Sequence, residues 1–292
     1  MKTYFGRKTC PECRMSYDIA APECPNCHHH SDEPELDALF GHHVRIGPIR
    51  QLIFFGIGLA GLLLLNLIAT IIFEVVALSN NPGMSQAELI DYMSTPGINL
   101  GVSSLSYLTL FAIFAFLLWS NWKQIGKSFA GWKPYVAALV GLGVLYGFSV
   151  LYSLLLQGIY GAAGRPLPGV NANERTLREM TVLNPALALI VFGVVGPFCE
   201  EMTYRVGLFG FLSRLGRIWA YVLTALIFGF IHFGWSSIGT DAFFDELANI
   251  PPYIFAGVAF GFLYDRYGFA ASLLAHMSNN LISLAITASG KQ

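Results

Sequence analysis

Charged side chains are scarce in this sequence. Lysine, arginine, aspartate and glutamate together make up 12% of the 292 residues. Soluble domains carry about 25% of such residues. Hydrophobic residues reach 54%, so much of the chain requires an apolar environment, and we expect the lipid bilayer to be a partner. A net charge of −1 offers no basic surface and gives no reason to expect a nucleic-acid partner.

We expect no signal peptide at the amino terminus, and the cysteines lack the spread of a secreted disulfide framework. Residues 1–30 contain neither an apolar core nor a cleavage-like site. Four of the five cysteines lie in the first 27 residues, and the fifth, Cys199, lies deep in an apolar region. Secreted disulfide frameworks space their cysteines more evenly, so we expect the amino-terminal cysteines to serve another purpose.

Two Cys-x-x-Cys pairs, Cys10 with Cys13 and Cys24 with Cys27, are separated by ten residues. Four thiolates at this spacing suit a tetrahedral zinc ion, whose binding would supply the folding energy that so short a segment lacks. A redox pair or two disulfides are the alternatives, and two pairs on the cytoplasmic side favour zinc. Residues 1–30 therefore predict a structural zinc ribbon. The segment resembles the ribbon modules at the amino termini of many bacterial membrane proteins, with a regulatory or partner-binding role in the cytoplasm.

Seven apolar segments follow a linker over residues 31–50. Each is about as long as a bilayer crossing, which needs roughly 20 predominantly apolar residues. We expect an all-α polytopic membrane protein with about seven transmembrane helices over residues 51–292, preceded by the small zinc ribbon. A short surface helix is expected over residues 171–183. The predicted spans are residues 51–78, 98–119, 134–160, 184–212, 217–235, 250–265 and 267–288.

Lysine and arginine are distributed unevenly between the predicted loops. Most of them fall in the amino-terminal segment and in every second loop, and such loops remain in the cytoplasm. We therefore expect a multi-pass inner-membrane protein with a cytoplasmic amino terminus. An odd number of spans would place the carboxyl terminus outside.

The fourth predicted span carries three ionisable residues, Glu200, Glu201 and Arg205, just after a kink expected at Gly196-Pro197. Ionisable groups inside a membrane are costly and are candidates for function. Residues four apart share a helix face, so Glu201 and Arg205 can pair, either as a structural salt bridge or with a direct chemical role. Glu200 points about 100° away from its neighbour. It is left without a partner in its own helix, which suits a general base.

Two later spans carry histidines. Phe228 and His232 share one helix face, and His276 and Asn280 share another. A single histidine near the end of a span is usually an interfacial residue. Two histidines and an asparagine on separate helices can instead converge on a buried glutamate.

These residues form the patterns Glu-Glu-x-x-x-Arg, Phe-x-x-x-His and His-x-x-x-Asn, in this order on successive apolar segments. They resemble the three motifs of the CAAX-protease and bacteriocin-processing (CPBP) family of intramembrane proteases, which includes the type II CAAX prenyl endopeptidases. The resemblance covers about residues 130–290, the expected protease core. It implies an intramembrane endopeptidase that acts on a peptide or membrane-protein substrate. The implied catalytic set is Glu200, Glu201, Arg205, His232, His276 and Asn280, with Phe228 lining the cavity.

The expected reaction is hydrolysis by a water that Glu200 and His232 hold and deprotonate. His276 and Asn280 would donate hydrogen bonds to the oxyanion, and Arg205 would orient Glu201. A catalytic zinc ion at Glu200, His232 and His276 is one option, and a metal-free glutamate mechanism is the other. The His-Glu-x-x-His helix of common zinc proteases is absent.

Other functions remain open from the sequence. Some members of the resembled family act as scaffolds or immunity-type proteins without proteolysis. A transporter would use the buried charges as an ion path, but the inverted repeat that it predicts is not evident. An aspartyl protease would need two buried aspartates, and Asp265 reads as a helix cap. The sequence leaves the identity of the substrate open, including whether it is prenylated.

Overall fold

The computed structural model describes residues 5–21, 23–30 and 42–290. The amino-terminal segment contains a two-stranded antiparallel hairpin of β1 (Arg7–Thr9) and β2 (Ser16–Asp18), in which Lys8 lies opposite Tyr17. Helices form most of the remainder. Within the described part they are α1 (Pro48–Asn80), α2 (Gln86–Met93), α3 (Pro96–Leu117), α4 (Trp122–Ser128), α5 (Lys133–Ala162), α6 (Ala172–Leu183), α7 (Pro185–Leu212), α8 (Arg217–Phe230), α9 (Phe243–Tyr267) and α10 (Phe269–Ala288).

Six of the described helices, α1, α3, α5, α7, α9 and α10, are long and apolar enough to cross a membrane. The shorter apolar helix α8 brings the number close to seven, so the predicted all-α polytopic class is confirmed. The span predicted over 217–235 ends earlier, because the helix stops at Phe230 and the chain turns. Its 14 residues extend about 21 Å at 1.5 Å per residue, which is less than the hydrocarbon thickness. The surface helix predicted over 171–183 is present as α6.

The span predicted to begin at residue 250 begins seven residues earlier in α9, at Phe243. Pro251 and Pro252 lie inside this helix, where each removes a backbone hydrogen bond to the residue four positions before it. The carbonyl of Ala248, which Pro252 leaves unpaired, accepts a hydrogen bond of 2.7 Å from the hydroxyl of Tyr152 on α5. A neighbouring helix thus compensates for the proline, as membrane helices commonly require.

Helix α7 is the central helix of the bundle. In its most apolar stretch 61% of the residues are buried, against 6% for α5. Close packing against α1 depends on Gly207, where an added Cβ would lie 2.7 Å from the backbone nitrogen of Phe55. Gly257 similarly allows α9 to approach Ala225 of α8. Small residues at these crossings bring the backbones together, as in other membrane bundles.

Two stretches of α7, Val191–Val195 and Met202–Phe209, have the wide turns of a π-helix. The first lies immediately before Pro197, which has no N–H to continue the regular pattern. The six regular residues between them, Gly196–Glu201, end on the two glutamates. Wide turns inside helices often occur at functional sites. The local geometry therefore singles out the same segment as the buried charges do.

Candidate functional site

Glu201 and Arg205 form an ion pair at the centre of the bundle. The Nε of Arg205 lies 3.4 Å from Oε2 of Glu201, and both side chains are fully buried. The guanidinium carbon also lies 5.1 Å from the ring centre of Phe228 and 5.7 Å from that of Phe260. Within the described residues neither terminal nitrogen of Arg205 has a hydrogen-bond partner, so the two aromatic faces are its other contacts. Cation–π contacts of this kind stabilise a desolvated cation.

Helix α10 supplies two more partners for Glu201. Nδ1 of His276 donates a hydrogen bond of 2.9 Å to Oε1, and the hydroxyl of Ser272 contacts Oε2. A buried carboxylate is costly unless it is paired and hydrogen-bonded, and here both oxygens are engaged. The arrangement fixes α7 against α10 and holds Glu201 in one orientation.

Glu200 has a different environment from its neighbour. Its side chain is 17% exposed, whereas that of Glu201 is 0% exposed. Oε2 lies 3.6 Å from Nε2 of His276, and Oε1 accepts a hydrogen bond of 3.4 Å from the hydroxyl of Tyr107 on α3. Of the two carboxylates, Glu200 is therefore the one that a substrate or a water molecule can reach.

The ring of His276 lies between the two glutamates. Its two nitrogens face one carboxylate each, Nδ1 towards Glu201 and Nε2 towards Glu200. The ring stacks on Phe260, with centres 4.4 Å apart and planes inclined by 17°. With Nδ1 donating to Glu201, the neutral ring has an unprotonated Nε2 on the side of Glu200.

His232 follows α8 in a turn, and its backbone N–H bonds to the carbonyl of Gly229. Its Nδ1 donates a hydrogen bond of 2.7 Å to the carbonyl of Phe228, which leaves Nε2 as an acceptor in the neutral ring. The ring stacks on Tyr253 with centres 4.3 Å apart, and it lies close enough to Glu200 for that charge to act on it. Phe228 itself contacts the rings of both histidines.

Asn280 connects α10 to the first wide turn of α7. Its Nδ2 donates a hydrogen bond of 3.1 Å to the carbonyl of Phe192, and its Oδ1 accepts one of 3.3 Å from Asn279. The wide turn disturbs the regular helix bonding around that carbonyl. The second N–H of the Asn280 amide is left for another acceptor.

Sequence reasoning missed three residues of this site, namely Tyr107, Ser272 and Phe260. None belongs to the motifs, and Tyr107 lies on a helix outside the resembled segment. A tyrosine or a serine within an apolar span is a weak signal, because its hydroxyl often bonds to its own helix. Their roles depend on which helices pack together, and the order of motifs does not determine that packing.

A second buried polar cluster lies where α8 and α9 meet the residues before α1. Asp265 contacts Nε2 of His43 at 3.1 Å and Nε of Arg217 at 3.1 Å, and it accepts a hydrogen bond of 2.9 Å from Tyr221. The expectation that Asp265 only caps its helix is therefore wrong. Burial lowers the pKa of His43 below its ordinary value, so the ring is neutral near pH 7. The cluster fastens the linker to the helical bundle.

The four amino-terminal cysteines are arranged as a metal site. Their sulfurs all lie within 4.8 Å of one another, and all five cysteines of the chain are free thiols. Four Zn–S bonds of about 2.3 Å place sulfurs about 3.8 Å apart in a tetrahedron, which these positions fit. A hydrogen bond from Asn26 is the main cause that lowers the pKa of Cys13 to about 6.

The two cysteine pairs have the same backbone geometry. The N–H groups of Cys10 and Cys24 bond to the carbonyls of Met15 and His29, each five residues later. The residues that follow the second cysteine of each pair, Arg14 and His28, both have φ of 58°. Because both pairs adopt the same hydrogen-bonded turn, their four sulfurs lie close together. The cluster fits a zinc ribbon.

The described residues give no support to a catalytic metal ion at Glu200, His232 and His276. Among the described residues, the group of possible metal ligands that the structure brings together is the cysteine cluster, and Glu200, His232 and His276 do not form such a group. Both nitrogens of His276 face carboxylates instead. The ring of His276 is hydrogen-bonded to Glu201 at 2.9 Å and lies 3.6 Å from Glu200 on its other side.

The fold and the site define a polytopic membrane protein with a glutamate–histidine centre buried between α7, α8 and α10. Residues 182–282, about a third of the chain, match the family model of type II CAAX prenyl endopeptidase Rce1-like proteins. The match agrees with the resemblance that the three motifs indicated, and the matched segment contains all seven motif residues.

A curated protein matches about a third of the chain. The UPF0177 protein YvdC of Lactococcus lactis subsp. lactis (strain IL1403) is 25% identical over 104 residues. The aligned region is 34% of this chain and 40% of that protein, so the chain spans less than half of its relative. No solved structure matches the chain.

Proposed function

We propose that this protein is an intramembrane endopeptidase that hydrolyses a peptide bond with a water activated by Glu200. The contrast between two neighbouring carboxylates supports the proposal. Glu201 is fully buried and bound by Arg205 and α10, so it serves the structure. Glu200 is partly exposed beside His276 and is available for chemistry. The Rce1-like match over the same residues supports a protease at the level of the family.

In the proposed reaction, Glu200 and Nε2 of His232 hold a water molecule. The water attacks the scissile carbonyl carbon and its proton passes to the Glu200 carboxylate. The remaining N–H of Asn280 donates a hydrogen bond to the oxyanion that forms on the carbonyl. When the C–N bond breaks, Glu200 returns the proton to the leaving nitrogen. The oxygen of the water becomes one of the two oxygens of the new carboxyl group, so hydrolysis consumes one water per peptide bond.

His276 acts in this proposal as a positioning residue. The sequence suggested that it would donate to the oxyanion, but both of its nitrogens face glutamates. It holds Glu200 at a fixed distance from Glu201, and its Nε2 is placed to share the proton that Glu200 acquires. Because its ligand atoms are directed in this way, no step of the reaction is assigned to a metal.

We further propose that the cysteine cluster binds one zinc ion. Replacing Cys24 by serine is expected to lower the zinc content from about one ion per chain to below half, since a structural site requires all four ligands. The matched change Cys199→Ser removes a buried thiol outside the cluster and should leave the zinc content unchanged. Metal analysis of the purified variants measures both values. Equal zinc in wild type and Cys24→Ser would contradict the assignment.

The hydroxyl of Tyr107 is expected to assist Glu200 by holding one of its oxygens. Replacing Tyr107 by phenylalanine removes a 3.4 Å hydrogen bond to a carboxylate, and we expect kcat to fall about tenfold with KM unchanged. Tyr146→Phe on the outer side of α5 is the matched control and should have wild-type kcat. Steady-state cleavage assays across pH separate the roles, because a positioning residue also alters the pH profile of kcat. A rise of KM with an unchanged kcat would contradict this role.

The substrate is proposed to be a peptide or membrane protein that reaches the site from the bilayer. The zinc ribbon is proposed to lie on the cytoplasmic side of a bacterial inner membrane, an orientation that the distribution of lysine and arginine supports. Comparing the peptide termini of membranes incubated with active and inactive protein identifies the substrate and tests whether it is prenylated. A chain that binds such peptides without cleaving them would instead be a scaffold of the same family.

A further inference from the structure

The connection between α3 and α5 lies at the surface of the bilayer. Residues 118–132 join two spanning helices, so they emerge from the membrane at one end of the bundle, where the ribbon also lies. This connection contains Trp119 and Trp132, whose side chains are 82% and 69% exposed. Exposed tryptophans are typical of the interface at the level of the lipid headgroups. The short helix α4 therefore lies at headgroup depth.

A cavity of about 750 Å³ opens between α4 and the ribbon. Four cationic side chains line it, and two of these already have partners. Arg45 pairs with Glu23 at 3.2 Å, and Arg214 pairs with Asp18 at 2.9 Å. These pairs join the ribbon to the helical domain and form the walls of the cavity. The remaining cations, on α4, are Lys123 and Lys127.

Lys123 and Lys127 are one helical turn apart, so their ammonium groups lie on the same face of α4. Both are exposed, and no carboxylate in the described part of the chain lies within ion-pair distance of either. Two like charges one turn apart repel each other, which makes this face unfavourable without an anion. Ser120 and Asn121 line the same cavity and add polar groups beside the lysines.

We propose that this cavity binds the phosphate group of an anionic phospholipid between Lys123 and Lys127. Its depth places it beside the headgroups, and its two cations without a carboxylate partner favour a ligand of negative net charge. A zwitterionic headgroup would bring its own ammonium group towards the lysines and gain less. The bound lipid contacts both the ribbon side and the α4 side of the cavity, so it also fastens the ribbon to the membrane domain. This site is separate from the glutamate–histidine centre, and the proposal does not depend on proteolysis.

Native mass spectrometry of the full chain, released from detergent, tests this site. We expect a one-lipid adduct with phosphatidylglycerol that is much stronger than with phosphatidylcholine. Each lysine near a membrane surface contributes about fivefold in affinity for anionic lipid, so Lys123→Gln with Lys127→Gln should weaken phosphatidylglycerol binding about 25-fold. The binding of the wild type should also fall with rising ionic strength.

Lys133→Gln is the matched control, because Lys133 is an exposed lysine at the same end of the bundle but outside the cavity. It should retain the wild-type affinity, and unchanged zinc content and melting temperature should show that the double variant is folded. A third arm uses inorganic phosphate. Lysine-dependent displacement of the lipid by phosphate at similar concentration would support the site and assign it to a soluble phosphate. Equal affinity for the two lipids, or equal effects of the double variant and Lys133→Gln, would overturn the proposal.

Discussion

Replacement of Glu200 by glutamine is expected to abolish cleavage while leaving the protein folded. The amide has nearly the shape of the carboxylate but cannot take a proton from water, and a general base contributes about 10²–10⁴ to the rate. Folding should tolerate the change, because Arg205 keeps its ion pair with Glu201 and no buried charge loses its partner. We therefore expect at least a hundredfold loss of kcat with a melting temperature near that of the wild type.

Glu179→Gln is the matched control for this experiment. Glu179 is an exposed acid on α6, and its replacement makes the same chemical change away from the centre. Cleavage of membrane peptides by both variants is measured in the same detergent or lipid. The comparison distinguishes the general effect of removing a negative charge from the specific effect of removing the base. Wild-type activity in Glu200→Gln would exclude Glu200 as the base, and equal losses in both variants would point to a general effect of charge.

Replacement of Arg205 by methionine is expected to destabilise the protein by about 3–5 kcal/mol. The change leaves the carboxylate of Glu201 buried without its cation, and removing one partner of a buried pair has a cost of this order. Methionine keeps much of the length and the apolar contact with Phe228 and Phe260, so the loss of charge dominates. Denaturant titration or thermal unfolding in mild detergent measures the difference.

The double variant Glu201→Gln with Arg205→Met distinguishes an unpaired charge from a packing defect. A buried pair can often be replaced by neutral groups at little net cost, so the double variant should recover most of the stability that Arg205→Met loses. His276 and Ser272 can still bond to the glutamine side chain. A double variant as unstable as Arg205→Met alone would show that packing, and not the buried charge, causes the loss.

The charged residues of α7 could be placed from the sequence because their geometry is local. A spacing of four residues predicted that Glu201 and Arg205 can pair, and they lie 3.4 Å apart. The cysteine cluster was also predictable, because two short pairs fix their own turns before any long-range packing is known. Both features depend on a few neighbouring residues.

The contacts between helices could not be predicted in the same way. That His276 would face both glutamates depends on how α10 packs on α7, and periodicity carries no information about that crossing. The start of α9 at Phe243, seven residues before the predicted span, was also missed. Pro252 lies inside this helix, and the carbonyl that it leaves unpaired is bound by Tyr152, which lies about a hundred residues earlier on another helix. Likewise, the burial of Asp265 required the linker residue His43 to fold back onto it.

Hydrolysis of membrane peptides in water enriched in oxygen-18 tests the proposed chemistry most directly. The purified chain is incubated in lipid with a peptide mixture, and the new carboxyl termini are analysed by mass spectrometry. If a water activated at Glu200 attacks the peptide bond, each new carboxyl terminus should carry one oxygen-18 atom, and Glu200→Gln should produce no new termini. The absence of new termini with the wild type, or the same labelled termini with Glu200→Gln, would contradict the proposed function.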